Sequence, residues 1–172
     1  MREALMPIAV MVDYKACTGC RLCEIVCSLR NEKEISPTLS RIRVYSFAPG
    51  IDVPIVCAQC LKASCIETCP QEALNRDPDT QAVVVNEEKC VGCKLCIEAC
   101  PAGAIFVDSR RNIVFKCELC GGEPECVKIC PVDALSLVKV PFDTRIFARK
   151  AEEIARNLSE LWALPRGRIT HA

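Results

Sequence analysis

Short apolar runs recur along the chain between polar turns: IAVMV at 8–12, VPIV at 53–56, AVVV at 82–85 and NIVF at 112–115. Their length and β-branching predict strands. The alternating RIRVY at 41–45 predicts another, ahead of a turn at Pro49-Gly50. RDPDT at 76–80 and DSRRN at 108–112 read as hairpin turns between β segments. Near the C-terminus the period changes. Phe147, Ala151, Ile154, Leu158 and Leu161 recur at alternating steps of four and three. Residues 144–163 therefore read as one amphipathic helix, with Asp143 as its N-cap and an extended tail from Pro165.

Each of the first four runs leads into a set of four cysteines. Group one is Cys17, Cys20, Cys23 and Cys27; group two is Cys57, Cys60, Cys65 and Cys69. Group three is Cys90, Cys93, Cys96 and Cys100; group four is Cys117, Cys120, Cys126 and Cys130. None of the 16 cysteines is left over. Groups two, three and four end in Cys-Pro and continue as PQEAL, PAGAI and PVDAL. A short helical turn fits before each proline, as at Ile97-Glu98-Ala99, because proline stops its continuation. The unit is strand, cysteine loop, short helix, strand, repeated four times. Its fold class is α+β.

Composition sharpens the chemistry. Sixteen cysteines stand against eight aromatic residues in 172, too few large side chains for an ordinary core. Disulfides or metal centres must make up the difference. The opening MREALMPIAVMVDYKAC carries Glu3 and Pro7 inside its apolar run and no small-residue cleavage site, which argues against a secretory signal. No stretch of about 18 apolar residues predicts a membrane span. A cytoplasmic chain so rich in thiols points to metal.

Spacing identifies the metal. In the run C-x₂-C-x₂-C-x₃-C-P, three thiolates from one loop and a fourth from elsewhere hold a [4Fe–4S] cube, the last cysteine serving the other cluster of a pair. Groups one and three carry that cysteine spacing, though only group three carries the proline. Groups two and four widen the middle gap and keep the C-x₃-C-P ending. All 16 cysteines are thus expected as ligands of four [4Fe–4S] clusters. A zinc-stapled interaction module is the alternative from another class, but zinc prefers paired cysteines, often with histidine, and the one histidine here is His171.

Other chemistries lack their residues. There is no dinucleotide or phosphate-loop motif, no haem attachment site and no centre for acid–base catalysis. Glu98 and Glu118 beside the ligands read as solvated neighbours. With 22 basic and 22 acidic residues, no nucleic-acid surface is indicated. Clusters would add about −2 each, making the loaded protein acidic and suited to basic partner faces. Arg21 and Lys94 lie inside cysteine loops, where a cation raises a cluster's potential unless solvent screens it.

The cysteine pattern over residues 8–140 resembles the four-cluster polyferredoxin subunits of complex oxidoreductases, two bacterial dicluster ferredoxin modules fused in one chain. The resemblance implies residues 1–140 as a double dicluster domain, with 141–172 as helix and tail. It implies a nested pairing, groups one and four in one module and two and three in the other. Cys17, Cys20, Cys23 and Cys130 would then hold one cluster, and Cys117, Cys120, Cys126 and Cys27 its partner. Cys57, Cys60, Cys65 and Cys100 would hold a third, and Cys90, Cys93, Cys96 and Cys69 the fourth. Spacing alone leaves sequential pairing open. The short GGEPE gap in group four is more similar to small electron-transfer subunits beside tungsten aldehyde oxidoreductase-family enzymes, which include tungsten benzoyl-CoA reductases, than to the longer gap of dimethyl-sulfoxide-reductase-type partner subunits. Partner ferredoxins of carbon monoxide dehydrogenase and hydrogenase also resemble it. The implied role is non-catalytic electron transfer in an anaerobic metabolism. It would run between a tungsten- or molybdenum-pterin subunit and a soluble carrier or further electron-transfer subunit. A free-standing polyferredoxin is the alternative. The C-terminal helix would cover the strands or dock the catalytic subunit through Trp162.

Overall fold

Among the described residues, eight strands and five α-helices follow the order that the repeat predicts. The computed structural model describes residues 7–48, 50–140 and 143–162. Strand β1 (Ile8–Val12) leads to group one, helix α1 (Leu22–Glu32) and β2 (Arg43–Ala48). β3 (Ile51–Ile55), group two, α2 (Ser64–Glu67) and β4 (Leu74–Arg76) make the second unit. β5 (Val83–Val85), α3 (Leu95–Glu98) and β6 (Ile105–Asp108) frame group three. β7 (Ile113–Lys116), α4 (Glu125–Lys128) and β8 (Leu135–Lys139) frame group four. Helix α5 (Ala151–Leu161) follows.

Each unit's last strand pairs antiparallel with the next unit's first: β2 with β3, β4 with β5, β6 with β7. The final strand closes on the first, β8 against β1, with Val10 opposite Leu137. That closure brings groups one and four together, and α1 packs on α4 while α2 packs on α3.

Proline sets the helix lengths. α2, α3 and α4 are four residues each and stop before Cys-Pro. Ser28 stands where the other units have proline, so α1 runs on for 11 residues. The extra turns place Glu32 beside two guanidinium groups, Arg41 at 3.5 Å and Arg111 at 3.0 Å. α1 is thereby tied to both the long connection and the β6–β7 turn.

Both predicted hairpin turns form, organised by aspartates. Asp77 Oδ1 accepts from the N–H groups of Asp79 and Thr80 and from the Thr80 hydroxyl. Asp108 accepts from the Arg110 N–H at 2.8 Å and from Arg111 Nε at 2.7 Å. Burial would raise its carboxyl, but the hydrogen bonds from Arg111 and Arg110 outweigh burial and hold it down at about 2. β2 begins two residues later than RIRVY suggested, and of the Pro49-Gly50 turn only Gly50, at φ +82°, lies within the described residues.

The C-terminal segment corrects the single-helix expectation. Thr144–Phe147 is a 3₁₀ turn, an extended link follows, and α5 begins at Ala151. Asp143 does cap, but it caps the turn: its carboxylate accepts from the N–H groups of Arg145 and Leu61, at 3.0 Å each. That tie to group two fixes the direction of the turn and breaks the helix. Phe147 is consequently 43% exposed and off the stripe, while Ala151, Ile154, Ala155 and Leu158 bury themselves against the β2–β3 hairpin. α5 covers those strands. The end of the expected helix at 163 and the tail from Pro165 lie outside the described residues.

Candidate metal centres

The cysteine loops share one backbone device. The third position of the first C-x₂-C in each group is left-handed: Gly19, Gln59, Gly92 and Leu119, with φ of +68°, +51°, +67° and +60°. The bend turns that residue's N–H back onto the first cysteine sulfur, as Gln59 N does to Cys57 Sγ at 3.4 Å. Gly19 and Leu119 do the same to Cys17 and Cys117. The Cys-Pro endings add another donor. Ala73 N donates to Cys69 Sγ at 3.3 Å and Ala104 N to Cys100 Sγ at 3.4 Å, both four residues on. Cys27 lacks that ending, and its sulfur instead accepts from the Arg41 N–H at 3.3 Å and Asn31 Nδ2 at 3.7 Å. N–H groups aimed at sulfur favour thiolate over thiol.

All 16 cysteines are free of disulfides, and the fold gathers them across groups. Cys17, Cys20, Cys23 and Cys130 line one cavity, closed by Leu22, Val44 and Pro131. Cys27, Cys117, Cys120 and Cys126 line a second with Arg41 and Glu118. Cys69, Cys90, Cys93 and Cys96 line a third with Leu74 and Val114. Cys60 and Cys65 both face Cys57 and Cys100, completing the fourth set. Cys27 thus sits with group four and Cys130 with group one.

Crowding and burial act on these sulfurs together. Burial, then Glu24 and Cys17, push the Cys23 thiol up to about 12. Burial, then Cys57 and Cys100, do the same to Cys60. Burial takes Cys117 to about 12, and burial with Cys65 and Cys90 takes Cys96 to about 11. Four thiolates cannot share such a space unless a positive centre holds them.

The sets also have an order. Cys23 faces Cys126, Cys57 faces Cys117, and Cys65 faces Cys96. The two exposed thiols, Cys20 and Cys93, belong to the two end sets.

Residues 51–140, just over half of the chain, match the model of the 4Fe-4S dicluster domain, and residues 14–30 match a 4Fe-4S binding domain. The polyferredoxin-like subunit of aliphatic sulfonate oxidoreductase from Pyrococcus furiosus is 44% identical over 151 residues, covering 85% of this chain and 87% of that protein. The chain belongs to the 4Fe-4S dicluster family of iron–sulfur electron-transfer subunits. The thiosulfate reductase electron transfer subunit PhsB of Salmonella typhi is 32% identical over 139 residues, covering 72% of this polyferredoxin and 71% of PhsB. A chain of the solved active-site complex BamBC of benzoyl coenzyme A reductase aligns over 90% of both chains at 26% identity, with a TM-score of 0.48.

The polyferredoxin therefore carries four [4Fe–4S] clusters and serves as a non-catalytic electron-transfer subunit. Among its described residues no helix is long and apolar enough to cross a membrane.

One sequence expectation changes. Glu118 is no solvated neighbour: it pairs with Arg41 at 2.7 Å and accepts from the Val85 N–H at 3.2 Å. Glu98 is exposed as expected. Arg21 and Lys94 are both exposed, and Arg21 is drawn to Glu24 at 3.6 Å, so solvent screens the two loop cations. Gln59 and Lys116 are among the buried polar residues that the sequence did not mark. Their only signal was position, beside the first cysteines of groups two and four.

Proposed function

We propose that the four clusters are held as nested sets: Cys17, Cys20, Cys23 and Cys130; Cys27, Cys117, Cys120 and Cys126; Cys57, Cys60, Cys65 and Cys100; Cys69, Cys90, Cys93 and Cys96. The observation that carries this is the crossing of the fourth cysteine, with Cys130 lining the cavity of group one and Cys27 that of group four. When bound, each cube supplies a one-electron redox site. The chain's own residues separate those sites, donate N–H groups to their sulfurs and expose the two end sets most, through Cys20 and Cys93. One end then faces a catalytic subunit and the other a soluble carrier or further electron-transfer subunit. Residues 1–140 form the double dicluster domain.

The partner in this reading is an oxidoreductase subunit with a tungsten- or molybdenum-pterin centre, in a cytoplasmic, anaerobic setting. The compact GGEPE gap and the high identity to a sulfonate oxidoreductase subunit support it. Cysteine-to-serine variants test the pairing. C20S and C130S should perturb the same electron paramagnetic resonance signal, and C120S a different one. If C130S instead perturbs the signal altered by C120S, the nested assignment is wrong. Anaerobic purification with metal analysis tests the partner: a co-purifying subunit containing tungsten or molybdenum is expected, and a lone chain would favour a free-standing polyferredoxin.

A further inference from the structure

Two cations are buried beside the cluster sites, and they differ in how they are matched. Arg41, lining the cavity of Cys27 and Cys117, is paired with Glu118 at 2.7 Å and Glu32 at 3.5 Å. Lys116, the last residue of β7, is 0% exposed. Its ammonium donates to the backbone oxygens of Val83 and Cys117, the latter at 2.8 Å. Among the described residues it makes no ion pair with a carboxylate. A buried, unmatched ammonium is costly in a protein interior, so something anionic must balance it. Lys116 directly precedes the ligand Cys117, and the Cys117 oxygen that it bonds also accepts from Gln59 of the group-two loop at 2.9 Å. Groups two and four supply the loops of the two interior sets, so Lys116 stands at the junction between them.

We propose that Lys116 is a potential-setting residue, its buried ammonium balancing the charge of the two interior clusters and raising their reduction potentials. This rests on the cluster sets proposed above, although the group-two and group-four loops hold different clusters under sequential pairing too. Reduction adds one electron and one negative charge to a cluster, and a fixed cation within a low-dielectric interior favours that form. Arg41 contributes less because its two carboxylates cancel it. The interior sites are thereby kept from becoming the steps hardest to reduce, despite being the most buried.

The test uses the full anaerobically purified protein, with K116M, K116Q and K116R compared. Iron is counted first, because four clusters missing from the unaltered protein would sink the cluster assignment rather than this inference. Redox titration monitored by electron paramagnetic resonance then reads the potentials. K116M or K116Q should shift the reduction equilibrium of at least one interior cluster tenfold or more toward oxidised, about 59 mV for one electron. K116R should stay near the unaltered value. Loss of interior clusters in K116M and K116Q with retention in K116R would equally support charge balance. Unmoved potentials in fully loaded K116M, equal shifts in K116R and K116M, or cluster loss in all three would overturn it.

Discussion

The Gln59 side chain reaches from the group-two loop to the start of group four, its Nε2 donating to the Cys117 oxygen at 2.9 Å. Its Oε1 accepts from the Val83 N–H at 2.9 Å, so one amide joins three segments around the interior cluster sites. The same Cys117 oxygen also accepts from Lys116.

Gln59→Leu should therefore cost more than its small change in shape suggests. It leaves the buried Val83 N–H without an acceptor, a loss of about 1–3 kcal/mol. Anaerobic denaturant unfolding should show that decrease, with faster iron loss from the interior sites.

Two glycines of the same loop type should respond differently to alanine. A Cβ on Gly92 would collide with the Asn112 backbone oxygen in the β6–β7 turn, whereas one on Gly19 would meet the Asp52 carboxylate, which can swing aside. Both positions have φ > 0 and both substitutions strain the loop. G92A should lose more cluster iron and stability than G19A, read by iron content and thermal unfolding. Equal losses would mean that the left-handed backbone, not the close approach, decides.

Cluster retention should rise with pH. With the Cys23, Cys60 and Cys117 thiols pushed up to about 12, ligation must displace protons at every pH below that. Iron retained against a chelator should increase steadily from about pH 5.5 to 8.5. In the metal-free chain the sign is opposite. Raised thiol pKa values stabilise the fold fully below the ordinary value of 9.0, and that contribution fades as pH climbs through about 12.

Leu158 and Leu161 separate the buried from the open face of α5. Leu158 is buried in the core that includes Val53, and Leu161 is 57% exposed. L158A should cost about 2–5 kcal/mol. L161A should stay within about 0.5 kcal/mol. Denaturant unfolding of the loaded protein distinguishes them.

Much of this architecture was legible because its signals are local. The three Cys-Pro steps foretell three four-residue helices, and the absence of proline at Ser28 allows α1 to continue. The hairpin turns announce themselves through Asp77 and Asp108. The closure of β8 on β1 was not readable from spacing, since strand partners more than a hundred residues apart depend on the whole fold; only the family resemblance pointed to it. The apolar stripe misled at Phe147 because a tertiary bond, Asp143 to Leu61, overrides helical periodicity there. Nothing in the sequence marked Lys116 apart from its place before Cys117. Its burial follows from β5 supplying a carbonyl acceptor at Val83, a partner 33 residues away.

Iron, acid-labile sulfide and electron uptake, counted on the same anaerobic sample, test the central claim most directly. Four [4Fe–4S] clusters predict about sixteen iron, about sixteen sulfide and about four electrons taken up reversibly per chain. A colourless protein holding zinc, or one whose iron accepts no electrons, would contradict the account.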